Sequence, residues 1–183
     1  MKKIIIVLAI LLSTFTFAQE KYLTRTGTVV FEASVPSFEE VKAKNEATTA
    51  ILNTDNGEFA ALVLVKGFRF KNALMEEHFN ENYAESDDFP KATFKGKLID
   101  FSKDNLSASV SSFTYEGNIT FHGETKTLEN VAINVKRNED DSLLLTGELI
   151  LNVDDFNIEI PSVVSKKLSK EVKTKFEFTL KKK

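Results

Sequence analysis

The chain has 183 residues with 24 basic and 27 acidic side chains, a formal net charge of −3, 16 phenylalanines, no cysteine and no tryptophan. That balance argues against nucleic acid as a partner, which calls for a basic patch. The missing cysteines exclude disulfides, thiolate metal sites and cysteine nucleophiles, so hydrophobic burial must hold the fold together.

At the N-terminus, Lys2 and Lys3 precede the apolar run Ile4–Leu12, and Ser13–Ala18 ends in Thr16-Phe17-Ala18. These are the parts of an export signal cleaved before Gln19. The run is shorter than the ~20 apolar residues that span a bilayer, so no stable membrane span is expected. An uncleaved N-terminal anchor is the alternative. No cysteine stands at the junction, which excludes a thioether-linked lipid. The expected organisation is a signal peptide over 1–18 and one domain over 19–183, exported to the periplasm or secreted. Loss of Lys2 and Lys3 leaves 22 basic against 27 acidic residues, a net charge of −5.

Beyond the signal the hydrophobic period is mostly two, the repeat of half-buried strands. Val29, Phe31, Ala33 and Val35 alternate with polar neighbours. A second, weaker stretch from Phe38 to about Asn45 reads as helical after Pro36. Phe59–Val65 is almost continuously apolar, which predicts a strand covered on both faces. The period then becomes helical from Ala73 to Tyr83. Leu74, Met75, His78, Phe79, Asn82 and Tyr83 share one face, while Glu76, Glu77 and Asn80 lie opposite. Asn72 is the predicted N-cap, and Pro90 enforces an extended stop after Phe89.

Strand periodicity resumes at Phe94, Gly96 and Leu98, and is clearest at Phe113, Tyr115, Gly117, Ile119 and Phe121. A turn at Gly123 leads to Val131, Ile133 and Val135. Leu143, Leu145, Gly147, Leu149, Leu151 and Val153 follow, and Val172, Phe176, Phe178 and Leu180 close the chain. Seven or eight strands without a βαβ rhythm define an antiparallel all-β protein. Long antiparallel strands expose their edges unless the sheet closes, which favours a barrel; a two-sheet sandwich also fits the pattern.

The block Ala73–Tyr83 with Glu85-Ser86-Asp87-Asp88-Phe89-Pro90-Lys91-Ala92-Thr93-Phe94-Lys95-Gly96 resembles the YceI-like family, in which a short helix, an aromatic–proline corner and a strand follow one another. Gly117-Asn118-Ile119-Thr120-Phe121-His122-Gly123-Glu124-Thr125-Lys126 and Phe156-Asn157-Ile158-Glu159-Ile160-Pro161 are similar to two further segments of it, and together the likeness covers 22–181. The resemblance implies an extended eight-stranded, antiparallel, lipocalin-like barrel with one or two short helices. It also implies an isoprenoid or other lipid-like small molecule as partner, and no settled catalytic activity. Oligomeric state is open at this point.

Inward apolar residues of such a barrel are the candidates to line a ligand site. They are Phe31 on the first strand, Val63 and Val65 on the next, and Phe79 on the helix. The later strands add Phe94, then Phe113, Tyr115, Ile119 and Phe121, then Leu145 and Leu149, and last Phe176 and Phe178. His78 and Tyr83 are candidate head-group contacts, although packing at the barrel mouth would equally account for His78. His122, on the polar face beside Gly123, is expected to be exposed. A prenyl chain of roughly 40 carbons at ~0.8 kcal/mol per buried CH₂ would gross about 30 kcal/mol. That exceeds the practical ceiling of about 18–21 kcal/mol, so ordering costs must absorb much of it.

Catalytic readings find little. His78 and His122 have no metal-ligand spacing, and no nucleophile elbow, zincin helix or phosphate loop is present. No catalytic residue, metal ligand or cofactor is therefore assigned. The competing readings are a secreted interaction module with a packed barrel, and an enzyme whose carboxylate pair is hidden among the acids. The acidic segment 76–88 and the lysine-rich segment 166–183 read as solvated surface.

Overall fold

The structure, a computed structural model, describes residues 20–183. Its strands are β1 (Lys21–Ser34), β2 (Lys42–Asn53), β3 (Glu58–Leu64), β4 (Arg69–Phe70), β5 (Lys91–Ile99), β6 (Ser111–Phe121), β7 (Glu124–Arg137), β8 (Leu143–Asn152) and β9 (Leu168–Lys182). One α-helix, α1 (Ala73–His78), runs on into a wide turn over Phe79–Tyr83.

Every pairing is antiparallel, and the eight longer strands follow one another round the sheet until β1 meets both β2 and β9. The sheet is thus a closed up-and-down barrel, and closure removes the edges that long strands would otherwise expose. β4 adds two residues beside β2. β1 and β7 have 14 residues each and β9 has 15. At about 3.3 Å per residue such strands run to roughly 45–50 Å, which makes the barrel long for its width. Gly96 faces Gly117 across β5 and β6, and a Cβ on either would meet the backbone of the other strand.

The segment read as a second helix is not one. Residues 38–41 belong to a connection, and Lys42 begins β2. The inward side chains of β2 are Ala43, Asn45, Thr48, Ala50 and Leu52. Small and polar residues at these buried positions erase the hydrophobic alternation by which a strand is recognised. Asn45 tolerates full burial because its side chain is bonded: Nδ2 donates to the Leu64 carbonyl at 3.0 Å and Oδ1 accepts from the Ala47 N–H at 2.8 Å.

β3 departs from expectation more mildly. Its Leu64 is 48% exposed, because one face of a barrel wall meets solvent however apolar its sequence. α1 begins where expected, with the Asn72 side chain accepting from the Leu74 N–H at 2.9 Å. Its buried face is rotated from the predicted one. Leu74, His78 and Asn82 are exposed, whereas Glu76 and Asn80 are half-buried. The Glu76 carboxylate accepts from the Phe70 N–H at 3.1 Å and from Arg69 at 3.0 Å, and this tie to β4 turns it inward.

Candidate functional site

The barrel interior has two halves. In one, Leu52, Leu98, Leu143, Leu145 and Leu180 are fully buried and the space between the strands is filled. This half is closed off by five rings. Phe59 lies 5.4 Å from Phe94 and 6.4 Å from Phe176, Phe94 lies 5.1 Å from Tyr115, and Phe176 stacks on Phe178 at 5.1 Å. Burial pushes the Tyr115 phenol well above the ordinary tyrosine range, so its hydroxyl stays protonated. Two glycines seat the rings. A Cβ at Gly147 would collide with Phe176, its cross-strand partner, and one at Gly27 would collide with Phe178.

The other half is hollow, with a cavity of about 380 Å³. That lies within the roughly 300–1,000 Å³ usual for small-molecule sites. Val29, Phe31 and Ala33 of β1 form one wall, and Ile119 and Phe121 of β6 another. Phe79, from the turn after α1, is inserted among Phe31, Phe68 and Phe70, with ring centres 5.2, 5.8 and 5.3 Å away. Leu151, Phe156, Ile158, Val164 and Val172 add to the lining. Polar side chains are few, and two of them are engaged locally. Asn152 Oδ1 accepts from the Asp154 N–H at 3.0 Å, and Ser169 Oγ donates to the Glu171 carbonyl at 2.8 Å. Glu39, His78, Tyr83 and Lys167 also border the cavity. Such a surface offers exclusion from water rather than directed hydrogen bonds, which suits a hydrocarbon chain.

One corner of the wall is built on His122. Its ring lies 4.6 Å from that of Phe89, and its side chain is only 12% exposed, contrary to the exposed position expected of it. Nδ1 lies 2.9 Å from the Phe156 carbonyl oxygen and Nε2 lies 3.0 Å from Glu85 Oε2. Both facing oxygens accept only, so a neutral ring donates to one and a protonated ring to both. The contacts tie the β6–β7 turn to the segment after α1 and to the turn 153–156, whose Phe156 lines the cavity. Asn157 Nδ2, donating to Glu124 Oε1 at 2.7 Å, adds a second tie across the same corner.

The sequence-predicted lining residues divide between the two halves. Phe31, Val63, Phe79, Ile119 and Phe121 border the cavity. Phe94, Tyr115, Phe176 and Phe178 belong to the aromatic floor, and Leu145 to the filled half. Val65 is buried in the turn after β3, Phe113 packs on Phe101 at 5.4 Å, and Leu149 packs against the core outside the cavity. His78 is exposed at the rim and Tyr83 half-buried there. Phe68, Phe70, Phe156, Ile158 and Ile160 line the cavity without having been singled out as lining. The period-two spacing of 68 and 70, and of 156, 158 and 160, carries that signal in the sequence.

A closed antiparallel barrel with an apolar cavity at one end places this chain among the lipocalin-like, all-β barrel proteins. The chain belongs to the family defined by the YceI-like domain, whose model matches residues 17–180. Among solved structures it is similar to a polyisoprenoid binding domain from Saccharophagus degradans, with a TM-score of 0.78, 13% identity, and coverage of 91% of this chain and 100% of that one. It is also similar to BcnA from Burkholderia cenocepacia, with a TM-score of 0.67, 17% identity, and coverage of 84% and 94%. A YceI protein from Campylobacter jejuni has a TM-score of 0.60 at 12% identity over 81% of this chain and 88% of that one. At these identities the likeness is one of fold. No curated protein matches the chain.

Proposed function

We propose that this protein is an exported binding protein that holds the apolar chain of an isoprenoid or other lipid-like amphiphile in the hollow half of its barrel. The observation that carries the reading is the cavity of about 380 Å³ with almost wholly apolar walls. A packed interaction module would have no use for such a space, since interiors otherwise fill to crystal-like density. The family supports the reading, as does the polyisoprenoid-binding description of the Saccharophagus degradans domain. Export rests on Lys2, Lys3, the apolar run Ile4–Leu12 and the Ala18 junction, which lie outside the described residues. A role without catalysis rests on the lack of any recognisable motif for nucleophilic, metal or phosphate chemistry.

Mass spectrometry of organic extracts tests this, on protein purified without detergent from its own host. The expected outcome is a near-stoichiometric amphiphile, with the intact mass of a chain beginning at Gln19. Empty extracts, together with failure to take up a fluorescent fatty acid, would remove the binding role. Retention of Met1 in exported material would remove the cleaved signal and leave the cavity argument intact.

A further inference from the structure

The cavity stops abruptly, and the residues at which it stops can be named. On β5, Ala92 lines it, and Phe94, the next inward side chain, does not. On β9, Thr174 lines it and Phe176 does not. Phe94 and Phe176 lie over Phe59, Tyr115 and Phe178, each of the five rings less than a tenth exposed. Beneath them Leu52, Leu98, Leu143, Leu145 and Leu180 are fully buried. Phe176 and Phe178 lie over Gly147 and Gly27 of the neighbouring strands, and both meet Phe59 across the interior, with ring centres 6.4 and 6.2 Å away.

We infer that this aromatic floor is a chain-length ruler, selecting amphiphiles with a single chain of roughly a dozen to sixteen carbons over long polyprenyl chains. The inference rests on the binding role proposed above. At about 30 Å³ per water-sized group, a cavity of about 380 Å³ admits roughly a dozen methylenes, with a few more carbons and the head group at the mouth. A chain of roughly 40 carbons would need about three times that space. Threading it further would displace rings from a close-packed interior, which lacks the voids to receive them. The ligand therefore enters from the rim, tail towards Phe94 and Phe176, and ends there.

The test is a titration of delipidated protein with straight-chain fatty acids from about 8 to about 20 carbons, and with a polyprenol of about 40, by displacement of a fluorescent fatty acid. Each carbon that enters the cavity should tighten binding by up to about fourfold. The gain should end at roughly a dozen to sixteen carbons, and the polyprenol should bind no better than the acids at that break. Phe94→Ala and Phe176→Leu lower the floor and should move the break to longer chains. Ala92→Leu adds bulk to open space, leaves the floor rings in place, and should move it to shorter ones. Should the floor variants not fold, Ala92→Leu decides alone. Continued gain through about 20 carbons in the unmodified protein, or a break unmoved in a folded variant, would overturn the ruler and leave the binding role standing. Failure to bind any chain would overturn the binding role and the ruler with it.

Discussion

His122 holds together three pieces of chain distant in sequence. Its two ring nitrogens face the Phe156 carbonyl at 2.9 Å and the Glu85 carboxylate at 3.0 Å, while its ring packs on Phe89. The Glu85 side chain is 50% exposed, so solvent screens that end of the bridge. The Phe156 end is sheltered, and losing it leaves a carbonyl without its partner. His122→Phe keeps a ring against Phe89 and removes both polar contacts. It should lower stability by about 1–3 kcal/mol in urea melts, and it should loosen the wall carrying Phe121 and Phe156. A variant as stable as the unmodified protein would show that ring packing alone holds the corner. Nothing in the local sequence distinguishes His122 from any polar residue in a hairpin turn, because both partners arrive from elsewhere in the chain.

At the scale of the element, β6 shows a strand whose faces follow directly from its sequence. Ile119 lines the cavity, whereas the Thr120 hydroxyl lies 2.8 Å from that of Thr125 on the outer face. Ile119→Asp should bury a charge without a partner, costing several kcal/mol or flooding the cavity so that lipid is no longer retained. Thr120→Asp puts the same residue one position along and loses only a cross-strand pair, worth roughly 0.2–1 kcal/mol. Thermal melts and lipid-retention assays on the two variants check this, and equal damage from both would contradict a wall with one dry face. β2 is the opposite case. Its inward residues Ala43, Asn45 and Thr48 lack a hydrophobic signature, and only pairing with β1 and β3 makes that segment a strand. α1 lies between the two: its length and cap follow from Asn72 and the helical period, but the bond from Glu76 to Phe70 sets its rotation.

The whole molecule depends on closing one long sheet, and the seam at its filled end is polar. The Lys183 N–H donates to the Lys21 carbonyl at 2.9 Å, and the Thr54 N–H donates to the Glu20 carbonyl at 2.9 Å. Lys182 Nζ donates to Glu20 Oε1 at 2.5 Å. The Lys182 hydrogen bond first, and the charges of Lys182 and Lys103 after it, hold the Glu20 carboxyl below its ordinary value against the opposing effect of burial. A carboxylate depressed in the folded state contributes stability above its unfolded value of about 4.3, and that contribution fades as the pH falls through the lower folded value. Glu20→Gln should therefore melt slightly below the unmodified protein at neutral pH, by less than about 1 kcal/mol after solvent screening. The two proteins should converge under acid conditions. A difference that persists or grows below pH of about 3 would assign the effect to something other than this ion pair.

Much of this protein can be read without its structure. The period-two runs, the lack of a βαβ rhythm and the disulfide-free, phenylalanine-rich composition determine an antiparallel all-β domain, because alternation on a pleated strand is a local property of the chain. The helix-to-proline block carries the family in the same local way. Which apolar residues line the cavity is decided only in three dimensions. Phe31, Phe79 and Phe121 line a cavity while Phe94, Phe176 and Phe178 fill the barrel, although all six are inward-facing phenylalanines. The difference is position along the barrel axis, which depends on strand register and on the neighbours that register brings together. The rings of Phe176 and Phe178 fold over Gly147 and Gly27 on the neighbouring strands, where any Cβ would collide with them. No window of sequence contains both the ring and the glycine that makes room for it.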